Sequence, residues 1–196
     1  MPGPDRDRRA DGRPEQARPR DRTGRPLPYD TDERELTEDW EYETIEEALE
    51  LGVWLWGQQR YFESHECLED VWHAAPDADR DFWQGVIQVA VAGVHHQRHN
   101  PTGAAALLDR ARQRLERYPA GHRGVDVGVL IDHARAVAEQ ARRDGRAAPP
   151  PDFPALDPGP WFAADADAEA PAARPTPVSD EESWEAARRP RRPGSG

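Results

Sequence analysis

Asp81-Phe82-Trp83-Gln84-Gly85-Val86-Ile87-Gln88-Val89-Ala90-Val91-Ala92-Gly93-Val94-His95 is the stretch whose periodicity decides the fold. Wound at about 100° per residue, it is apolar around most of its circumference, which predicts a central, buried helix over roughly Arg80 to His99. The polar exceptions fall together. With Gln88 at zero, Asp81, Gln84, Val91, His95 and His99 lie within about 60° of it, so a polar stripe runs down an otherwise hydrophobic helix. Gly85 and Ala92 flank that stripe and leave room for a close neighbour.

Outward from this segment the chain keeps a helical rhythm. On the N-terminal side, Ala75-Pro76 closes a helix over about Tyr61 to His73, because a residue before proline is driven out of the helical region. Thr44-Ile45-Glu46-Glu47 is a capping box opening a helix from Ile45 to about Gln59. On the C-terminal side, Asn100-Pro101 supplies an N-cap and a first-turn proline. The helix that follows sets Ala104, Leu107, Leu108, Ala111 and Leu115 on one side and arginines on the other, and ends at Pro119 and Gly121. Asp126 caps a fifth helix with the stripe Val127, Leu130, Ile131, Ala134, Val137, Ala138 and Ala141. No strand alternation and no internal repeat is apparent. The expectation is an all-α fold, a single compact bundle of four to five helices whose short links favour antiparallel neighbours, between disordered N- and C-terminal tails.

Composition sets the boundaries. Of the 20 prolines in 196 residues, most lie towards the ends. Residues 1–38 are an Arg/Asp/Pro-rich tail with little to bury, 39–145 the helical domain, 146–162 a Pro-rich strap whose Phe153, Leu156, Trp161 and Phe162 want cover, and 163–196 a second tail. The formal charge of −12, with arginine as the sole strongly basic residue, argues against specific nucleic-acid binding. No segment is apolar for the length of a membrane span, and Met1-Pro2-Gly3-Pro4-Asp5 opens without a secretory apolar run. A lone cysteine, Cys67, cannot form an internal disulfide, and a cytoplasmic setting follows as the expectation.

Chemistry is expected in two places. On the second helix, His65 is placed mid-face with Tyr61, Leu68 and Trp72 within about 60°, Glu69 one turn on at about +40°, and Glu66 at about +100°. A buried carboxylate needs a partner. The economical arrangement turns this face towards the stripe of the third helix, so that Glu69 accepts from His65, Gln88 or His95. The candidate pocket is therefore His65, Glu66, Glu69, Trp72, Gln84, Gln88 and His95. Its ligand types suit a small molecule or a divalent metal held by His65, Glu69 and His95, although the paired Glu-x-x-His of di-iron bundles and His-Glu-x-x-His are both missing. Cys67 faces away from Glu69 and is expected to be a packed or surface thiol.

Phe62-x-x-His65-Glu66-x-Leu68-Glu69-x-x-Trp72, followed by Gln84-Gly85-x-Ile87-Gln88, by His95 and by Asn100-Pro101-Thr102-Gly103-Ala104, resembles the signature of the family called domain of unknown function 309. The resemblance runs from about Ala48 to Leu115. It implies an all-α fold and a motif role for His65, Glu66, Glu69, Trp72, Gln84, Gln88 and His95, and it implies no reaction. Two functions compete. One is a small-ligand or metal-binding pocket with hydrolytic capacity, using Glu66, Glu69 and His65 as acid–base groups. The other is a non-enzymatic structural or interaction module, able to form a homo-oligomer, in which the polar stripe only fixes helix register.

Overall fold

Thr44 accepts a hydrogen bond from the Glu47 amide while Glu47 reaches back to the Thr44 amide, and the capping box starts α1 (Ile45–Gly57) where the sequence puts it. The computed structural model describes residues 19–28, 30–31 and 40–156; expectations for the tails beyond these, and for Trp161 and Phe162, lie outside the described residues. The described chain continues with α2 (Tyr61–Ala74), α3 (Asp77–Gln97), α4 (Pro101–Leu115) and α5 (Val127–Asp144). The fold is all-α. Each helix packs on the next in sequence, because links of two or three residues before α2, α3 and α4 force each to fold back on its predecessor.

The helix α3 begins three residues earlier than the hydrophobic pattern suggests. Pro76 is its N-cap residue, and Asp77 and Asp79 occupy the first turn, where carboxylates meet the positive end of the helix dipole. Its residues Phe82, Trp83, Val86, Val89, Ala90 and Val94 are buried at the centre of the core, as the all-round apolar pattern requires. Gly145, at φ +64°, ends α5 in the left-handed conformation that glycine tolerates.

A small hairpin departs from the all-helical expectation. Gly121–His122 (β1) pairs antiparallel with Val125–Asp126 (β2) through a two-residue turn in which both Arg123 (φ 48°) and Gly124 (φ 73°) have positive φ. That is the turn geometry that closes two-residue hairpins, and at two residues per strand there is no alternation to detect in the sequence.

The strap residues within the described chain run back over the helices. Trp56 Nε1 donates to the Pro151 carbonyl at 2.8 Å, Phe153 meets the Trp56 ring edge-on at 5.3 Å, and Pro150 is buried where Gly93 leaves space. Leu156 stays 53% exposed, unlike its aromatic neighbour. A second difference lies at the other end. Residues 19–28, inside the stretch expected to lack structure, form a turn laid against α2 and the C-terminal end of α3.

Candidate functional site

The polar stripe of α3 is one continuous face, as its periodicity indicates, but the helix it meets is α4. Arg114 donates from Nε to Gln84 Oε1 at 3.0 Å and from Nη1 to Gln88 Oε1 at 3.2 Å. Arg117 and Arg114 reach Asp81 at 2.7 and 3.7 Å. Gln88 is almost wholly buried, so its oxygen depends on this guanidinium. Arg114 is a residue the sequence reading left on the solvent side of α4. It stands seven positions after Leu107, only about 20° away around the helix, and that offset is the signal that places it beside the core stripe.

His95, further along the same face, serves the start of α4. It is 2% exposed, and its Nδ1 lies 2.9 Å from Asn100 Nδ2. The amide can only donate, so Nδ1 accepts and the ring proton is on Nε2. The other amide atom, Asn100 Oδ1, accepts from the Gly103 amide at 2.9 Å and caps α4. A Cβ on Gly103 would sit 2.5 Å from His95 Nδ1, so glycine is what lets the ring, the cap and the helix meet. Burial, with Arg98 nearby, lowers the His95 pKa to about 4 and keeps the ring neutral. The run from His95 to Gly103 is thus one helix-start device.

On α2 the buried arc is centred about 100° from where the sequence reading put it. Ser64, Cys67, Leu68 and Val71 lie inside it, with Tyr61 and Phe62 also buried. Small residues draw the arc in. Ser64 Oγ donates to the Gly52 carbonyl at 2.8 Å, and the absent Cβ of Gly52 brings Cys67 and Leu68 close to α1. Burial first, then the carboxylates Glu66 and Asp70, push the Cys67 thiol up to about 12, which makes it a packing residue.

His65 therefore stands at the rim of the buried arc. Its Nδ1 donates to the Phe62 carbonyl one turn back, and its Nε2 is 3.9 Å from Glu69 Oε1, beyond hydrogen-bond reach. Glu69 keeps 51% of its side chain exposed, Glu66 is exposed, and Trp72 is half-buried. Loss of water around its carboxyl nonetheless raises the Glu66 pKa, with Glu69 and Glu63 pushing the same way and His65 and Arg20 opposing. The expected meeting of Glu69 with Gln88 and His95 does not occur, because Arg114 and Asn100 already occupy those groups. No three His, Cys, Asp or Glu side chains come within reach of one metal ion among the described residues, so the set His65, Glu69 and His95 is corrected.

Two buried acids escaped the sequence reading. Glu63, 1% exposed, pairs with Arg60 at 2.6 Å. Asp79, 3% exposed, binds His122 Nε2 at 2.8 Å and Arg123 Nη2 at 2.5 Å, tying the hairpin to the start of α3. His122 also lies against the rings of Phe82 and Tyr118, at 4.7 and 4.8 Å. The first pair was visible as acid and base three residues apart. The second joins residues more than 40 positions apart and left no local mark.

Residues 49–107 match the model of the family described as Domain of unknown function (DUF309). An uncharacterised protein of Bacillus subtilis (strain 168), YpuF, is 41% identical over 86 residues, covering 41% of this chain and 48% of the relative. The chain thus spans about half the length of that relative. The matched residues run from α1 through the first half of α4 and hold both polar faces described above.

Proposed function

We propose, for a chain whose residues 49–107 belong to the DUF309 family, a non-enzymatic interaction module in which the α3 stripe sets helix register and the outward face of α2 makes contacts. One observation carries this reading. The acid and imidazole of α2 and the amides and imidazole of α3 are engaged by different partners, so they do not converge on one reacting atom. Gln84, Gln88 and Asp81 serve Arg114 and Arg117, and His95 serves the α4 cap. Such a network specifies which helices meet and in what register.

Contact capacity lies on the α1–α2 side. Trp54 is 51% exposed, Trp40 meets it edge-on at 5.7 Å, and the Arg60 guanidinium sits 5.0 Å above the Trp40 ring. Aromatic and arginine side chains together are the usual anchors of protein contacts. Homo-oligomerisation through this side belongs to the proposal. No helix among the described residues is long and apolar enough to cross a membrane, and the single cysteine is buried and free, so a cytoplasmic setting completes it.

The competing ligand-pocket reading separates cleanly by experiment. Protein purified without chelators is titrated with zinc, manganese and nickel while its Tm is followed. The module reading expects no shift beyond a degree. A stabilising shift that disappears in His65→Ala would return α2 to ligand binding and overturn the proposal.

A further inference from the structure

The Phe62 end of the outward face of α2 is covered by the chain's own residues 19–28. The segment is a closed turn: Leu27 N–H donates to the Pro19 carbonyl at 2.7 Å, and Arg20 and Pro26 form an antiparallel bridge. Asp21 Oδ1 gathers the Thr23 amide, the Thr23 hydroxyl and the Arg25 amide at 2.8 to 2.9 Å, an aspartate-centred turn. At its tip Gly24 has φ +73° and lies flush on the Phe62 ring: a Cβ there would be 2.1 Å from the ring. The Arg20 guanidinium donates to the Gly24 carbonyl at 2.7 Å and lies 5.9 Å from the Phe62 centroid. Arg98 reaches across to the Thr23 carbonyl, and Arg25 reaches the Arg98 carbonyl at 3.4 Å.

Three features distinguish this from ordinary packing. The turn is closed by its own hydrogen bonds and meets the Phe62 ring of α2 through Gly24 and Arg20. The charges are of complementary sign: the segment brings Arg20 to the Phe62 ring, one turn from Glu66 on the same helix. Finally, Phe62, His65, Glu66, Glu69 and Arg98 all lie within the family-matched residues 49–107, whereas the segment that covers them lies outside.

We propose that the Phe62–Glu66 face is a docking site for an arginine- and glycine-bearing peptide turn, and that residues 19–28 are its resting, intramolecular occupant. The inference rests on the interaction-module reading and names the class of partner. A protein presenting a turn of the same chemistry binds only by displacing the resident segment. The resident, tethered to the same chain, is present at high effective concentration and lowers apparent affinity by the fraction of molecules it leaves open.

The test uses the full-length chain and a fluorescein-labelled peptide of residues 17–31. In the chain, Gly24→Leu gives the tip a side chain that Phe62 excludes and a φ that leucine resists, so the resident segment leaves while the helical body is untouched. Tryptic cleavage after Arg20 or Arg22 should then accelerate, and peptide anisotropy should show roughly tenfold or more tighter binding than wild type. Adding Phe62→Ala to Gly24→Leu should abolish that binding, and the peptide with its own glycine replaced by leucine should not bind. Unchanged cleavage, or faster cleavage without tighter peptide binding, overturns the proposal. A wild-type dimer that Gly24→Leu converts to monomer also overturns it, because the segment would then belong to a second copy. None of these readouts depends on the metal titration, so failure of the docking proposal and failure of the module reading can be told apart.

Discussion

Polar groups on α3 and polar groups on α2 meet opposite fates. On α3 the two glutamines and the imidazole are drawn in and engaged one by one, Gln84 and Gln88 by Arg114 and His95 Nδ1 by Asn100, while Asp81, about half exposed, pairs with Arg117 at the edge. On α2, Glu66 and Glu69 stay at the surface, and His65 donates to the Phe62 carbonyl of its own helix and leans on that residue's ring. Motif residues of similar type thus do different jobs. The α3 set determines how helices meet, while the α2 set is what the family-matched domain presents outward. Changes on the first side should move stability and changes on the second should not.

The largest effect should come from pH. Burial lowers both His95 and His133, on α5, to about 4. Their folded pKa lies below the unfolded value of 6.5, so between these limits the unfolded chain binds protons that the native one refuses. Stability is complete above about pH 6.5 and falls as pH drops towards 4, by about 2 kcal/mol for each histidine between pH 6.5 and 4.5. Glu66, raised, acts in the opposite sense, but it is exposed and its contribution is small. Urea midpoints at four pH values would show the slope, and His133→Leu should halve it. A flat profile would mean the α3 side is not closed to water.

Next is the ionic clamp at the start of α3. Asp79→Ala removes the buried acceptor that holds His122 and Arg123, each about a quarter exposed or less and able to regain water. The expected loss is about 2 to 3 kcal/mol, the range for charged hydrogen bonds without a stranded charge. It should appear in the urea midpoint with an unchanged m-value. A loss below 0.5 kcal/mol would put the clamp with the exposed pairs of α2.

These sites mark where sequence reading works and where it stops. Helix caps at Thr44, Asn100 and Asp126 were legible because capping is local, a matter of three or four residues. The α3 stripe was legible because a long, nearly apolar helix leaves few polar residues to place. Its partner was not, because periodicity assigns a face and says nothing about which neighbour fills it. On α2 the face itself was misjudged: Ser64 and Cys67 look neutral by hydropathy, yet their small size makes the close approach to Gly52 possible. The turn at residues 19–28 was missed because its seat on α2 is one glycine against a ring nearly forty positions away.

Arg114 tests the inner side more gently. Arg114→Ala leaves the nearly buried Gln88 oxygen without its donor and should cost about 1 to 2 kcal/mol. If the network serves register, as proposed, replacing Arg114 and Gln88 together by leucine should recover most of that loss, since the buried oxygen is then gone and the half-buried Gln84 and half-exposed Asp81 can turn to water. A double variant as unstable as the sum of the single ones would show that the arginine contributes something other than satisfaction of these amides.

The smallest effect is expected on the outer face, and its smallness is the point. Glu69 keeps half of its side chain in water, and the His65 imidazole Nε2 is 3.9 Å away. An exposed pair at that distance, screened by salt, contributes little, so Glu69→Gln should change stability by less than about 0.5 kcal/mol in either direction. Had the acid been enclosed against Gln88 and His95, the same substitution would exchange a buried carboxylate for an amide and shift stability by several times as much. The comparison is made at low salt, where screening is least. A change above about 1.5 kcal/mol would mean that Glu69 is held inside the protein, and the outer face of α2 would lose its claim to be a free contact surface.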